Sequence, residues 1–203
     1  MEQEVNTPYK SNYTLGIIFT ISTLLFIICL ILARLFPVLL CVAVLGGLLS
    51  SVLQYVWFYR SHKNLLAFNT QGLKYSPLWA VIGFIIPILN LFRPYQVAQE
   101  IWTASDPDAS TVGWKQSKAG VVVILWWVSW YIYGFISFIS TGLNAVSSIQ
   151  TEIANPEDAL ASLSSTFPIS AVIGLSIHLL LTISVIVLTN DRQDEKAENL
   201  SLL

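Results

Sequence analysis

The chain has 203 residues, of which 55% are hydrophobic and only 11% charged, with a formal net charge of −2. A soluble domain carries roughly 25% charged residues, so this composition indicates one compact membrane unit rather than a soluble domain with an anchor. The slight negative charge, with no concentrated basic surface, argues against nucleic acid as a partner.

Residues 1–14 are polar and slightly acidic. They lack the basic start and small-residue cleavage site of a signal peptide, so the first apolar run is expected to stay as a membrane helix. Four runs are long enough to cross a bilayer: 15–33, 38–59, 119–141 and 167–189. Each holds about 19 or more residues without Asp, Glu, Lys or Arg, the pattern of a spanning helix. Arg34-Leu35-Phe36-Pro37 joins the first two as a tight antiparallel hairpin, and Pro37 suits the start of the second helix. The second run continues past the membrane through Trp57, Tyr59, Arg60, Lys63 and Asn64, with Arg60, Lys63 and Asn64 on one face.

Residues 78–92 form a fifth apolar segment, broken by Pro87, carrying Asn90 and closed by Arg93-Pro94. A span needs about 20 residues, and this segment falls short. The ten basic residues decide its reading. If it crosses, Lys10, Arg60, Lys63 and Lys74 lie outside against six inside; if it does not, only Arg34 is outside and nine are cytoplasmic. The second distribution obeys the positive-inside rule better. It predicts four spans, both termini cytoplasmic, and a segment that is re-entrant or, as an equal alternative, lies tilted at the interface. As a helix, residues 78–86 descend about 13 Å, and five extended residues from Pro87 suffice for the return. Irregular backbone at that depth must be shielded by protein or face a wet cavity.

Pro94 suits the start of a new helix over 94–103. Gln96, Gln99, Glu100 and Thr103 recur at helical spacing opposite Val97, Ala98, Ile101 and Trp102, which reads as an amphipathic interfacial helix. Residues 105–118 read as a polar turn region. The loop 142–166 has no Lys or Arg but holds Glu152, Glu157 and Asp158, so it is expected outside. Within it, Asn155-Pro156-Glu157-Asp158 is a helix-start signal, with Leu160, Leu163 and Phe167 as an apolar face. Residues 15–190 then make a single membrane domain, and the charged tail 191–203 is expected to be disordered. The sequons at Asn12 and Asn199 fall on the cytoplasmic side and are expected to carry no glycan.

Trp57-Phe58-Tyr59-Arg60, Asn64-Leu65, Ser76-Pro77, Trp79-Ala80-Val81, Pro87, Asn90-Leu91, Arg93-Pro94-Tyr95 and Glu100-Ile101-Trp102 occur in that order. With the tryptophan-rich Trp126-Trp127-Val128-Ser129-Trp130, this set resembles a bacterial membrane family catalogued as domain of unknown function 4328. The resemblance covers roughly 56–133. It implies a protein of the bacterial inner membrane and supplies no activity. The Pro/Gly-rich N-terminal extension of many members does not occur in this sequence.

Arg60, Arg93 and Glu100 flank the short segment. They suit a charge cluster gating a cytoplasmic vestibule or, the favoured reading, an ion pair pinning the amphipathic helix to the second span. Asn64 and Asn90 suit the backbone groups freed at the Pro87 break. Trp126, Trp130 and Tyr133 share a face of the third span; packing, with indole N–H groups on carbonyls of the short segment, is preferred over a wall for a flat lipid-soluble ligand. His178 lies mid-span among Ser170, Gly174 and Thr182 at four-residue spacing, and Gly46, Ser50 and Gln54 form a similar stripe on the second span. The two stripes are expected to meet, making His178 a packing residue rather than a pigment or haem ligand. Cys29 and Cys41 lack metal-ligand spacing and read as small buried hydrophobes. No metal or other cofactor is expected. GxSxG, HExxH and a phosphate-binding glycine loop are all absent from the sequence, so it gives no support for an enzyme.

Taken together, the residues predict an all-α integral membrane protein: four transmembrane helices, one Pro-broken re-entrant or interfacial segment and a cytoplasmic amphipathic helix. The preferred role is a non-enzymatic accessory or assembly subunit in the bilayer, acting through a protein partner or a homo-oligomer. The alternative is a small transporter or channel-like protein whose broken segment lines a polar path.

Overall fold

The computed structural model describes residues 7–33, 35–36, 38–154 and 169–201. They form seven α-helices: α1 Tyr13–Leu32, α2 Leu39–Ala67, α3 Pro77–Ile85, α4 Pro87–Asn90, α5 Arg93–Ala104, α6 Val121–Ala154 and α7 Ile169–Asn199. Helices α1, α2, α6 and α7 are each long and apolar enough to cross a bilayer. Their outward faces are rows of exposed Ile, Leu, Val and Phe, which only lipid can cover without cost. Arg34 and Pro37 of the first hairpin, and the helix-start signal at 155–158 with Leu160, Leu163 and Phe167, lie outside the described residues.

Helix α1 packs along α2 on one side and α7 on the other, while α6 packs along α7 and touches α5. Helices α2 and α6 lie apart along most of their length and touch through the side chains of Phe58 and Trp126. Between them sits the folded-back unit α3–α4–α5. Its start follows from local chemistry: Ser76 caps α3 by accepting from the Trp79 N–H, and Pro77 opens the helix. Its break follows from Pro87, which pushes Ile86 into an extended conformation (ψ 116°) and ends α3.

The return differs from expectation. Pro87 opens one helical turn rather than an extended strand, and α5 itself carries the chain back. Close approach is possible because residue 83 is glycine: a Cβ there would lie 2.7 Å from Cβ of Arg93. Helix α5 is not a surface helix. Val97, Ala98, Ile101 and Ala104 are buried, and so is Glu100, because α2, α3 and α6 pack around α5.

Three further boundaries move. Helix α2 runs to Ala67, about 44 Å in all and longer than the bilayer core, as its expected continuation requires. Helix α6 continues past 141 to Ala154, taking up part of the loop expected at 142–166. The tail is not disordered: α7 extends to Asn199 and buries Asn190, Gln193, Lys196 and Ala197. Net charge hid that buried face, which recurs at positions 189, 190, 193 and 197 with helical spacing. In the 105–118 region Gly113–Gln116 forms a 3-10 turn that buries Trp114, whose indole N–H donates to the Gln71 carbonyl at 2.8 Å.

The larger core joins Phe19, Trp57, Phe58, Leu65, Val97, Ile101, Trp126 and Ile186 at the end that holds both described chain ends. A smaller one joins Cys29, Leu30, Ala43 and Val172 toward the other end. Both thiols are free; Cys29 is buried as expected, whereas Cys41 is exposed.

Candidate functional site

Two places concentrate polar groups. The first is a tie at the end of the bundle where residues 9–12 meet the last turns of α7. The Glu100 carboxylate accepts from His62 Nε2 at 3.0 Å, from the Lys74 backbone N–H at 2.7 Å and from the Tyr75 N–H at 3.4 Å. One side chain of α5 thereby fixes α2 and the turn into α3. His62 is completely buried, and its Nδ1 has no partner among the described residues.

Next to it, the Gln193 amide bridges elements: its Nε2 donates to the Ser61 carbonyl (3.0 Å) and Ser105 Oγ (3.1 Å), and its Oε1 accepts from Asn64 (3.0 Å). Lys196 Nζ donates to the carbonyls of Ala104, Asp106 and Ala109 at 2.9–3.1 Å, a cation placed on the C-terminal end of α5. Asn12 donates to Ser61 Oγ at 3.0 Å and is 1% exposed, so no glycan fits there. Tyr9 donates to Asp194. Burial first, then that carboxylate, hold the Tyr9 hydroxyl protonated well above its ordinary range. Asp106 lies 3.3 Å from Arg192. Burial alone would raise Asp106, but the Ser117 hydroxyl, the Asp108 N–H and the Arg192 and Lys196 charges outweigh it and hold the carboxyl below the ordinary value.

The expected pairing of Arg60 or Arg93 with Glu100 does not occur. Arg60 donates to the Ser11 carbonyl at 3.1 Å, and the Arg93 guanidinium stacks 4.5 Å from the Tyr75 ring centroid. Asn64 serves the N-terminal segment, donating to the Lys10 carbonyl at 2.9 Å, and does not reach the Pro87 break. His62, Gln193 and Lys196 were missed in the sequence. A signal existed for the last two, in the helical spacing of the tail, but none for the partner of His62.

The second place is a cavity of about 520 Å³ beside the break. Phe19, Phe26 and Leu30 of α1, Ser50, Gln54 and Tyr55 of α2, Asn90 and Pro94 of the broken segment, Trp126, Trp130 and Tyr133 of α6, and Leu175, His178 and Leu179 of α7 are among its walls. It lies where α2 and α6 are held apart by the α3–α5 wedge and meet through the rings of Phe58 and Trp126, 6.0 Å between centroids. The break therefore lines the cavity through Asn90 and Pro94.

The polar stripes do not meet as expected. Ser50 bonds with Ser22 and Thr23 of α1 at 3.2 and 3.3 Å, and Gly46 faces Phe26. The α7 stripe faces α6: Ser170 on Ser140, Gly174 on Tyr133, His178 on Ser129 and Thr182 on Trp126. Tryptophan N–H groups do not satisfy the broken segment either. Trp126 donates to Thr182 at 3.0 Å, and the Tyr131 hydroxyl donates to the Leu91 carbonyl. Trp126, Trp130 and His178 nevertheless stand together, with His178 6.2 and 5.0 Å from the two indoles.

Four long apolar helices around a folded-back, proline-broken unit define a multi-pass, all-helical membrane protein. The family described as Domain of unknown function (DUF4328) matches residues 30–189, and the chain belongs to it. That match takes in α2 to α6 and α7 as far as Thr189, hence the broken segment and most of the cavity wall. No curated protein and no solved structure matches the chain.

Proposed function

We propose that the protein is a small, non-enzymatic, transporter-like binder that admits an uncharged lipid-soluble molecule into the cavity beside the Pro87 break. The observation that carries this reading is the cavity itself. It has the volume of a small-molecule site, apolar and aromatic walls, and a few polar groups in Asn90, Gln54 and His178. Orientation follows the basic residues: with both termini cytoplasmic, nine of the ten lie inside, so the broken segment enters from the cytoplasmic side of a bacterial inner membrane.

The test uses protein in lipid nanodiscs and the uncharged fluorophore N-phenyl-1-naphthylamine. Saturable binding is expected, lost when Leu179→Trp fills the cavity. Partitioning no greater than in protein-free nanodiscs would overturn the reading.

A second reading, an accessory subunit, is favoured by α6, which runs about 51 Å and exposes Phe135 and Phe138 on its outer face. Recovery of a stoichiometric partner in mild detergent, lost in Phe138→Ser, supports it. A protein isolated alone with a filled cavity returns the decision to the binder.

A further inference from the structure

We infer that the cavity ligand is a flat ring compound bearing a hydroxyl group, and that His178 accepts the hydrogen bond from that hydroxyl. This rests on the cavity reading above and adds the chemistry of the ligand.

The proton on His178 can be located by elimination. Ser129 Oγ donates its single proton to the Trp126 carbonyl at 2.6 Å. The same oxygen lies 2.9 Å from His178 Nδ1, and with the hydroxyl proton assigned to the carbonyl, its shorter contact, Nδ1 is the donor to Ser129. A neutral imidazole with its proton on Nδ1 leaves the lone pair on Nε2. His178 is 4% exposed and lines the cavity, and among the described residues no group bonds to Nε2. Unlike His62 Nδ1, this atom is not sealed inside protein and opens on the cavity. An acceptor withdrawn from water and left unmatched is costly, and a ligand donor removes that cost.

The surroundings narrow the ligand further. Among the described residues neither Asp, Glu, Lys nor Arg lines the cavity, so a carboxylate or ammonium would be desolvated there without a counter-charge from them. Trp126 and Trp130 lie beside the imidazole and offer aromatic surface at the depth of Nε2, which suits a planar ring carrying the hydroxyl. Tyr133, on the same helix, extends that wall.

The experiment pairs two probes that differ at the donor: 4-phenylphenol and its methyl ether, 4-methoxybiphenyl. Binding of tritiated 4-phenylphenol to the unmodified protein in lipid nanodiscs is read by scintillation proximity and competed with each unlabelled compound. Saturable binding is expected, with the ether competing at least about tenfold more weakly, because a site built around a hydroxyl rejects the analogue lacking it. In His178→Phe the two compounds should compete equally. Equal competition in the unmodified protein, or an undiminished preference in His178→Phe, overturns the hydroxyl assignment and leaves the cavity reading standing. Should neither compound bind saturably while N-phenyl-1-naphthylamine does, the hydroxyl assignment falls and the cavity reading stands. The comparison in the unmodified protein decides even if the variant does not fold.

Discussion

Glu100 is the residue on which most local structure converges, since its two oxygens hold an imidazole and two backbone N–H groups from separate elements. Removing a buried group that others depend on costs more than the bond itself, because the partners are left unsatisfied. Glu100→Ala is therefore expected to lower stability by about 3 kcal/mol, and Glu100→Gln by less, in thermal unfolding in mild detergent. An alanine variant with the parental midpoint would remove Glu100 from this role. Asp106 gives a pH signature. Its carboxyl is held lower in the fold than in the unfolded chain. Its contribution is therefore complete at neutral pH and is lost as pH falls below about 4. Hydrogen exchange in residues 105–118 should rise over that interval, and Asp106→Asn should show the faster exchange already at pH 7. The sequence made Glu100 a candidate from its place near the membrane, but it pointed to arginine partners. It could not name His62, because the pairing depends on how far α5 is drawn into the bundle.

At the level of elements, the broken segment was legible where backbone chemistry is local. Pro87, Ser76-Pro77 and Arg93-Pro94 fixed the stop and the two starts. The burial of α5 was not legible, since its polar positions read as a wet face until Glu100 was seen to be enclosed. Gly83 tests how tightly the wedge is closed. With Cβ space already taken by Arg93, Gly83→Val should spread α3 from α5 and cost about 1–3 kcal/mol of stability, read as a lower unfolding midpoint, whereas Gly134→Ala, where nothing lies within 4 Å, should not lower it. The far end of α7 supplies the second element-scale prediction. A chain cut after Asp191 loses Gln193 and Lys196, and with them five hydrogen bonds to other elements from their donor nitrogens. It should unfold at lower temperature and expose residues 105–118 to protease; a disordered tail would be removed without effect. Charge density in 191–199 had masked a helix whose inward positions are Gln193, Lys196 and Ala197.

Across the whole molecule, four apolar runs were enough to give the bundle, because length and charge exclusion are properties of each run alone. Which faces meet was not given by the runs. The polar stripes on α2 and α7 each found a nearer neighbour, α1 and α6, and the space left between them became the cavity. A void is set by what keeps helices apart, and here that is the wedge. The four-span arrangement has a direct test. Cysteines placed at the exposed positions Asn69 and Ser110 should be labelled by an impermeant reagent from the same side of sealed vesicles; opposite labelling would require α3–α5 to cross.

The tie between the chain ends also sets an order of events during synthesis. Asn12 and Asn64 emerge early, with α1 and α2, yet Asn190 and Gln193, which bond to their segments, come 178 and 129 residues later. Until α7 arrives, the Asn64 amide lacks its Gln193 acceptor and the Asn12 backbone carbonyl lacks its Asn190 donor. The hairpin of α1 and α2 must therefore wait with its polar end at the water, and insertion of the last helix closes the bundle like a clasp.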